Sequence, residues 1–223
     1  IVMDSSYIFR AGAISFVTSV GPETTIIAGA AADRNVPEQG DLDRSSRHRL
    51  KLGVSLAGGS SFRLAFSAEG AYRERHFDDG RAERDGELLY DFEASGELAV
   101  FSSQSIYARL ASRGVVSDEE VPLAETYALG GANTLRGYRE AQFRGAKIAW
   151  TAVEYRFGTG GLFFLFDDVG AFESPNEGWV FKNGVGFGLR AESPVGVVAL
   201  SFGVGERLSL AEARLHVSLA ERF

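Results

Sequence analysis

Arg136 stands alone between Leu135 and Gly137 in the stretch LGGANTLRGYREAQFRG, residues 129–145, and two acids follow it on alternating segments, Glu154 in VEYRF and Asp168 in FDDVG. A guanidinium presents five donors in a planar fork, so it can bridge two carboxylates or grip one bidentately. The chemistry on offer is ion pairing, provided that the glycine-rich loop folds back far enough for Arg136 to reach the acids. Gly137 permits a sharp turn at the tip, and Gly170 leaves room on the facing wall. If the loop folds back and both acids face inward, Arg136 is expected to pair with Asp168, with Glu154 as second partner, and the pair to lock the loop. A solvated arginine and a turn-proximal Asp167–Asp168 pair are the plainer alternatives.

Catalytic chemistry has no comparable set of residues. His48, His76 and His216 lie far apart, none sits beside a Ser or Cys nucleophile, and no G-x-S-x-G elbow occurs. The chain has no cysteine, which excludes disulfides and thiolate metal sites. The acidic stretch FDDGRAERDGE, residues 77–87, lacks the ordered spacing of a calcium loop and reads as a solvated connection. GVGFG, residues 184–188, is no dinucleotide fingerprint, because it lies in an alternating segment with no helix after it. Its glycines suit a curved sheet, or a thin wall against which the loop packs. No cofactor, no metal and no enzymatic activity are expected.

The elements that would carry these residues follow from period-two patterning. In SFRLAFSAEGAYR, residues 61–73, Phe62, Leu64, Phe66 and Tyr72 fall on one face while Arg63, Ser67 and Glu69 fall on the other. ELLYDFEASGELAV, residues 87–100, repeats this, with Leu88, Tyr90, Phe92 and Leu98 opposing Glu87, Asp91, Glu93 and Glu97. Sandwich strands usually run about five or six residues, whereas segments of about ten with one apolar and one charged face suit tilted strands crossing a bilayer. Eleven strands are expected, near 6–19, 22–33, 47–57, 61–74, 87–101, 103–114, 146–157, 161–172, 179–191, 194–205 and 212–223, the first two with weak boundaries. In AKIAWTAVEYRF, Val153, Tyr155 and Phe157 should face outward, and Trp150, Glu154 and Arg156 inward. Phe164, Phe166, Asp168 and Gly170 share a face, and Phe163, Leu165 and Phe187 belong to the lipid-facing band.

Composition agrees with this. The 27 glycines, 17 phenylalanines and only five prolines suit a sheet with tight bends and an apolar outer band. The hydrophobic fraction is 45%, yet no apolar run is long enough for a spanning helix. Net charge is −7 without a basic stretch, which argues against a nucleic-acid partner. Connections alternate between short ones (VGP, GGS, SS, GTG, ESP) and longer ones at 34–46, 75–86, 115–145, 173–178 and 206–211, as periplasmic turns and outer loops do. An odd strand count and an opening on Ile1 rather than Met predict a mature or incomplete product that is the C-terminal part of a larger barrel.

LGGANTLRGY resembles the signature loop of the BamA/TamA/FhaC superfamily of bacterial surface antigen barrels, Arg136, Gly137 and Tyr138 matching its Arg-Gly-aromatic tip. VEYRF is similar to the strand after that loop, and FDDVG matches a Phe-x-Asp-x-Gly pattern at Phe166, Asp168 and Gly170. GVGFGLRAESPVG, residues 184–196, looks like the glycine-rich strand, short turn and returning strand near the C-terminus. RLHVSLAERF resembles the C-terminal assembly signal, with Leu215, Val217, Leu219 and Phe223 in phase and Glu221 departing from it. The likeness covers residues 120–223, and before that only the general pattern.

The resemblance implies an all-β fold, an antiparallel transmembrane β-barrel with about 11–12 strands visible out of about 16 and a long inward-folded loop. Residues 1–223 would then be barrel, the rest of the barrel and any periplasmic domains lying upstream. It implies the bacterial outer membrane, with the lipid bilayer, substrate polypeptides and accessory lipoproteins or periplasmic domains as partners. The function it implies is that of an assembly or insertion factor that helps fold or translocate proteins at the outer membrane, the alternatives being a two-partner secretion transporter and a membrane anchor for a fused enzyme. A soluble β-sandwich is the alternative outside this family.

Overall fold

The computed structural model describes residues 7–21, 23–37, 44–58, 62–76, 82–118, 121, 123–159, 162–174, 176–193, 196–207 and 209–220. The chain is all-β. Its strands are β1 (Tyr7–Gly21), β2 (Thr24–Pro37), β3 (Arg44–Gly58), β4 (Phe62–His76), β5 (Ala82–Phe101), β6 (Gln104–Ser117), β7 (Tyr127–Leu129), β8 (Phe143–Gly145), β9 (Lys147–Phe157), β10 (Phe163–Ser174), β11 (Gly178–Ser193), β12 (Gly196–Gly205) and β13 (Arg214–Ala220). Eleven pair in chain order, with β6 followed directly by β9, while β7 and β8 form a separate two-stranded sheet.

The eleven expected strands correspond to these eleven, with several boundaries moved. β3, β4, β5 and β6 run further than the alternation suggested, β3 through pairing with β2 that continues to Ser45. β13 begins at Arg214 rather than 212, since Leu210–Glu212 makes a 3-10 turn. Residues 221–223 lie outside those described, so Glu221 and the terminal Phe223 of the expected assembly signal are not placed.

Close contacts divide the chain into two compact units. The first holds Ile1–Leu56, Ala65–Asp91 and Val115–Val121. Within it β1 pairs with β2, and β2 with β3, antiparallel. Leu50, Leu52, Val54 and Leu56 stand exposed at every second position of β3. Just before them Arg49, on the other face, reaches across to Glu69, 3.2 Å away.

The second unit holds Ala57–Leu64, Phe92–Gly114 and Pro122–Phe223. Here β9 and β10 alternate with little interruption. Ile148, Trp150, Ala152, Glu154 and Arg156 are buried on β9, and Val153 and Tyr155 are exposed. On β10, Phe164, Phe166 and Asp168 are buried, and Phe163, Leu165 and Val169 are exposed. The exposed face continues through Phe181, Phe187 and Leu189 on β11 and Leu215, Val217 and Leu219 on β13, the last three 71%, 62% and 57% exposed. An apolar surface of this extent, repeated strand after strand, is unfavourable in water and suited to lipid. No helix among the described residues is long and apolar enough to cross a membrane.

Candidate functional site

The connection from β6 to β9 is built as a braced loop. At its base β7 and β8 pair with Tyr127 opposite Gly145 and Leu129 opposite Phe143. Beyond them the tip closes on itself: Gly131 donates its N–H to the carbonyl of Leu135 at 3.0 Å, Ala141 to that of Gly130 at 3.3 Å, and Gly130 to the Thr134 hydroxyl at 2.9 Å. Leu129 and Leu135 are fully buried and pack with Ala111, Ile148 and Trp150, flanked by Tyr127, Tyr138, Phe143 and Phe172. A Cβ on Gly170 would come within 2.9 Å of Leu129 Cδ2 and 3.0 Å of Leu135 Cδ2, so its bare backbone lets both leucines seat against β10.

Seating those leucines brings Arg136 onto the wall. Its Nε donates to Asp168 Oδ2 at 2.8 Å and Nη2 to Oδ1 at 2.7 Å, a bidentate grip, while its backbone N–H donates to Oδ2 at 3.0 Å. The remaining nitrogen, Nη1, donates to Glu154 Oε1 at 2.7 Å. Arg136, Glu154 and Asp168 are 7%, 5% and 1% exposed, which makes these charge-assisted bonds poorly screened. The guanidinium also lies over the Phe166 ring, 3.7 Å from its centroid.

Register explains why that ring lies flat. Phe166 pairs across to Gly186 and Phe164 to Gly188. A Cβ at Gly186 would come within 2.6 Å of Phe166 Cζ, and one at Gly188 would run into the Phe164 ring. The glycines therefore act as a recess for the rings, and the rings form the floor on which Arg136 rests. Gly184 continues the recess, since a Cβ there would collide with the carbonyl oxygen of Arg136.

The wall carries further charge beneath the tip. Glu154 Oε2 accepts from Arg156 Nε at 2.9 Å and from Arg190 Nη2 at 3.2 Å, so three arginines share one carboxylate. Arg156 also reaches Glu97 at 2.8 Å, and Arg109 reaches Glu93 at 3.0 Å and the carbonyl of Asn133 at 3.2 Å. A cavity of about 210 Å³ lies among Arg109, Thr134, Arg136, Glu154, Asp168 and Arg190. By contrast, the hydrogen bonds to the Asp168 carboxylate among the described residues all come from Arg136.

The tip is held at two more points. Gly137 adopts φ 91°, a left-handed conformation that favours glycine, and a Cβ there would approach the carbonyl carbon of Val204 to 2.7 Å. The Tyr138 hydroxyl donates to the carbonyl of Asn183 at 3.0 Å and accepts from the Glu206 N–H at 3.1 Å. Arg136, Gly137, Tyr138, Glu154, Phe166, Asp168 and Gly170 thus meet in one place. Leu215, Val217 and Leu219 do not join them and face outward on β13. Asp167 is exposed on the other face of β10, so it does not form a turn-side pair with Asp168.

Sequence reasoning assigned no role here to Arg190, His216 or Glu97. Their part depends on which strands lie next to each other, which alternation alone does not carry. Among the described residues no cluster of His, Asp and Glu could hold a metal ion, although residues 77–81 of the acidic stretch lie outside those described.

A family model described as the Omp85 superfamily domain matches residues 33–223. Among solved structures, CdiB from Acinetobacter baumannii is similar to this chain with a TM-score of 0.54 at 14% identity, over 90% of this chain and 40% of its own. At that identity the likeness bears on fold. This chain spans less than half the length of that protein. No curated protein matches.

Proposed function

The chain belongs to the Omp85 superfamily and forms part of an outer-membrane β-barrel, and we propose that this barrel assembles polypeptides into the outer membrane, with residues 118–142 as its locking loop. The observation that carries the reading is the Arg136 clamp, four short hydrogen bonds from one loop residue to two carboxylates on adjacent strands. A loop held only for shape would need its leucine packing alone. A charged clamp adds directional bonds that exist in one seating and vanish in every other, which suits an element that must be either in place or away.

In this reading Arg136, Gly137, Tyr138, Glu154, Phe166, Asp168 and Gly170 are the lock, and the rest of the barrel with periplasmic domains precedes residue 1. Leu215, Val217, Leu219 and Phe223 are the signal by which the barrel is itself assembled. Substrates are unfolded polypeptides whose strands pair with a sheet edge, and accessory lipoproteins are the expected helpers.

Expressing the full-length protein with Arg136→Ala and measuring heat-modifiable, folded barrels in the outer membrane tests the proposal. Assembly should fall while the variant itself remains folded. If barrel assembly is unchanged but export of a soluble polypeptide is lost, the secretion reading replaces this one.

A further inference from the structure

The loop tip makes one bond that the clamp does not require. Gly137 donates its backbone N–H to Nε2 of His216 on β13, at 3.0 Å. A ring nitrogen accepts only through a free lone pair, so His216 is neutral in this arrangement, with its proton on Nδ1. Once protonated, both ring nitrogens donate, and the N–H of Gly137 faces another N–H. A free imidazole has a pKa of about 6.5, so once the tip parts from His216, mild acid holds the ring charged and opposes its return.

We infer that His216 is a positioning residue that ties the tip of the loop to β13 and releases it on protonation. The inference rests on the reading of residues 118–142 as a lock and adds the condition under which one of its ties opens. Gly137 is pressed against Val204, and a Cβ on Gly203 would lie 2.8 Å from the Gly137 nitrogen, so the amide sits directly against the backbone of β12. The charged groups acting on the imidazole are Glu140 and Arg136 of the loop and Arg214 of its own strand. From β12 the residue opposite is the uncharged Ser201. The grip of Arg136 on Asp168 does not involve the imidazole, so mild acid frees the tip from β13 while the clamp holds.

Amide hydrogen exchange at Gly137 reads this tie directly. In the full-length protein in a bilayer, protection of that amide, normalised for the intrinsic effect of pH, should fall about tenfold between about pH 7.5 and pH 5.5. His216→Gln supplies a carbonyl oxygen that accepts without titrating, and should keep the protection at both pH values. His216→Leu should lack it at both. A wild-type protection independent of pH, or a glutamine variant that repeats the fall, would overturn the inference. Because no substrate enters the measurement, its outcome is separate from that of the assembly assay.

Discussion

Arg136 and Asp168 meet through three hydrogen bonds, with the backbone N–H and Nε of the arginine on Oδ2 and Nη2 on Oδ1, at 3.0, 2.8 and 2.7 Å. Main chain and side chain of one residue therefore converge on a single carboxylate. The contact registers the position of the loop backbone as well as the reach of the side chain. A lysine, with a point charge and no fork, could not reproduce it.

Removing the arginine should be costly because the Asp168 carboxylate, 1% exposed, would lose the bonds that satisfy it where water reaches it least. Arg136→Ala is expected to destabilise the seated loop by about 3–5 kcal/mol. Limited proteolysis within residues 130–142 should accelerate accordingly. Arg136→Lys should fall between wild type and alanine.

The two acids should contribute unequally. Glu154 keeps Arg156 and Arg190 when Arg136 is gone, while the Asp168 carboxylate keeps no hydrogen bond among the described residues. A double-mutant cycle should give a coupling of about 2–3 kcal/mol for Arg136 with Asp168 and about 1 kcal/mol or less for Arg136 with Glu154. Equal couplings would mean that the wall arginines do not compensate Glu154.

Two glycines should differ in how far they tolerate a methyl group. Gly184→Ala directs its Cβ at a backbone carbonyl oxygen of Arg136, which cannot turn aside. Gly170→Ala meets only the ends of Leu129 and Leu135, 2.9 and 3.0 Å away. The first should unseat the tip, at about 2–3 kcal/mol, and the second should cost about 1 kcal/mol. Proteolysis of the loop in the two variants, with sheet content followed by circular dichroism, separates them.

On the lipid-facing side of β10, Leu165 is 52% exposed and Asp167 follows it on the same face. Leu165→Arg should cost about 2–4 kcal/mol when the barrel is unfolded from a bilayer. Asp167→Val should raise stability, by about 1 kcal/mol, because it removes an acid from an apolar neighbourhood. A loss on that second substitution would reveal that Asp167 faces water.

Much of this was legible in the sequence because membrane strands make their pattern plain. Lipid on one side and charge on the other force an alternation that Val153, Glu154, Tyr155 and Arg156 spell out within four residues. The same alternation put Phe164, Phe166 and Asp168 on one face. What it could not carry was pairing between strands. That Phe166 lies on Gly186, that Arg190 leans toward Glu154, and that His216 reaches Gly137 all depend on register, which no single strand encodes. The three-residue strands β7 and β8 were invisible for a simpler reason, since so short a segment completes too few alternations to be told from loop.

The bonds inside the loop tip have one more consequence. Because Gly131 closes on Leu135, Ala141 on Gly130 and Gly130 on Thr134, the segment carries bonds of its own and is expected to keep its form away from the wall. Withdrawing it resembles drawing a cork more than unravelling a thread. The cost then lies in parting surfaces rather than in melting chain, so the same piece can be put back without refolding.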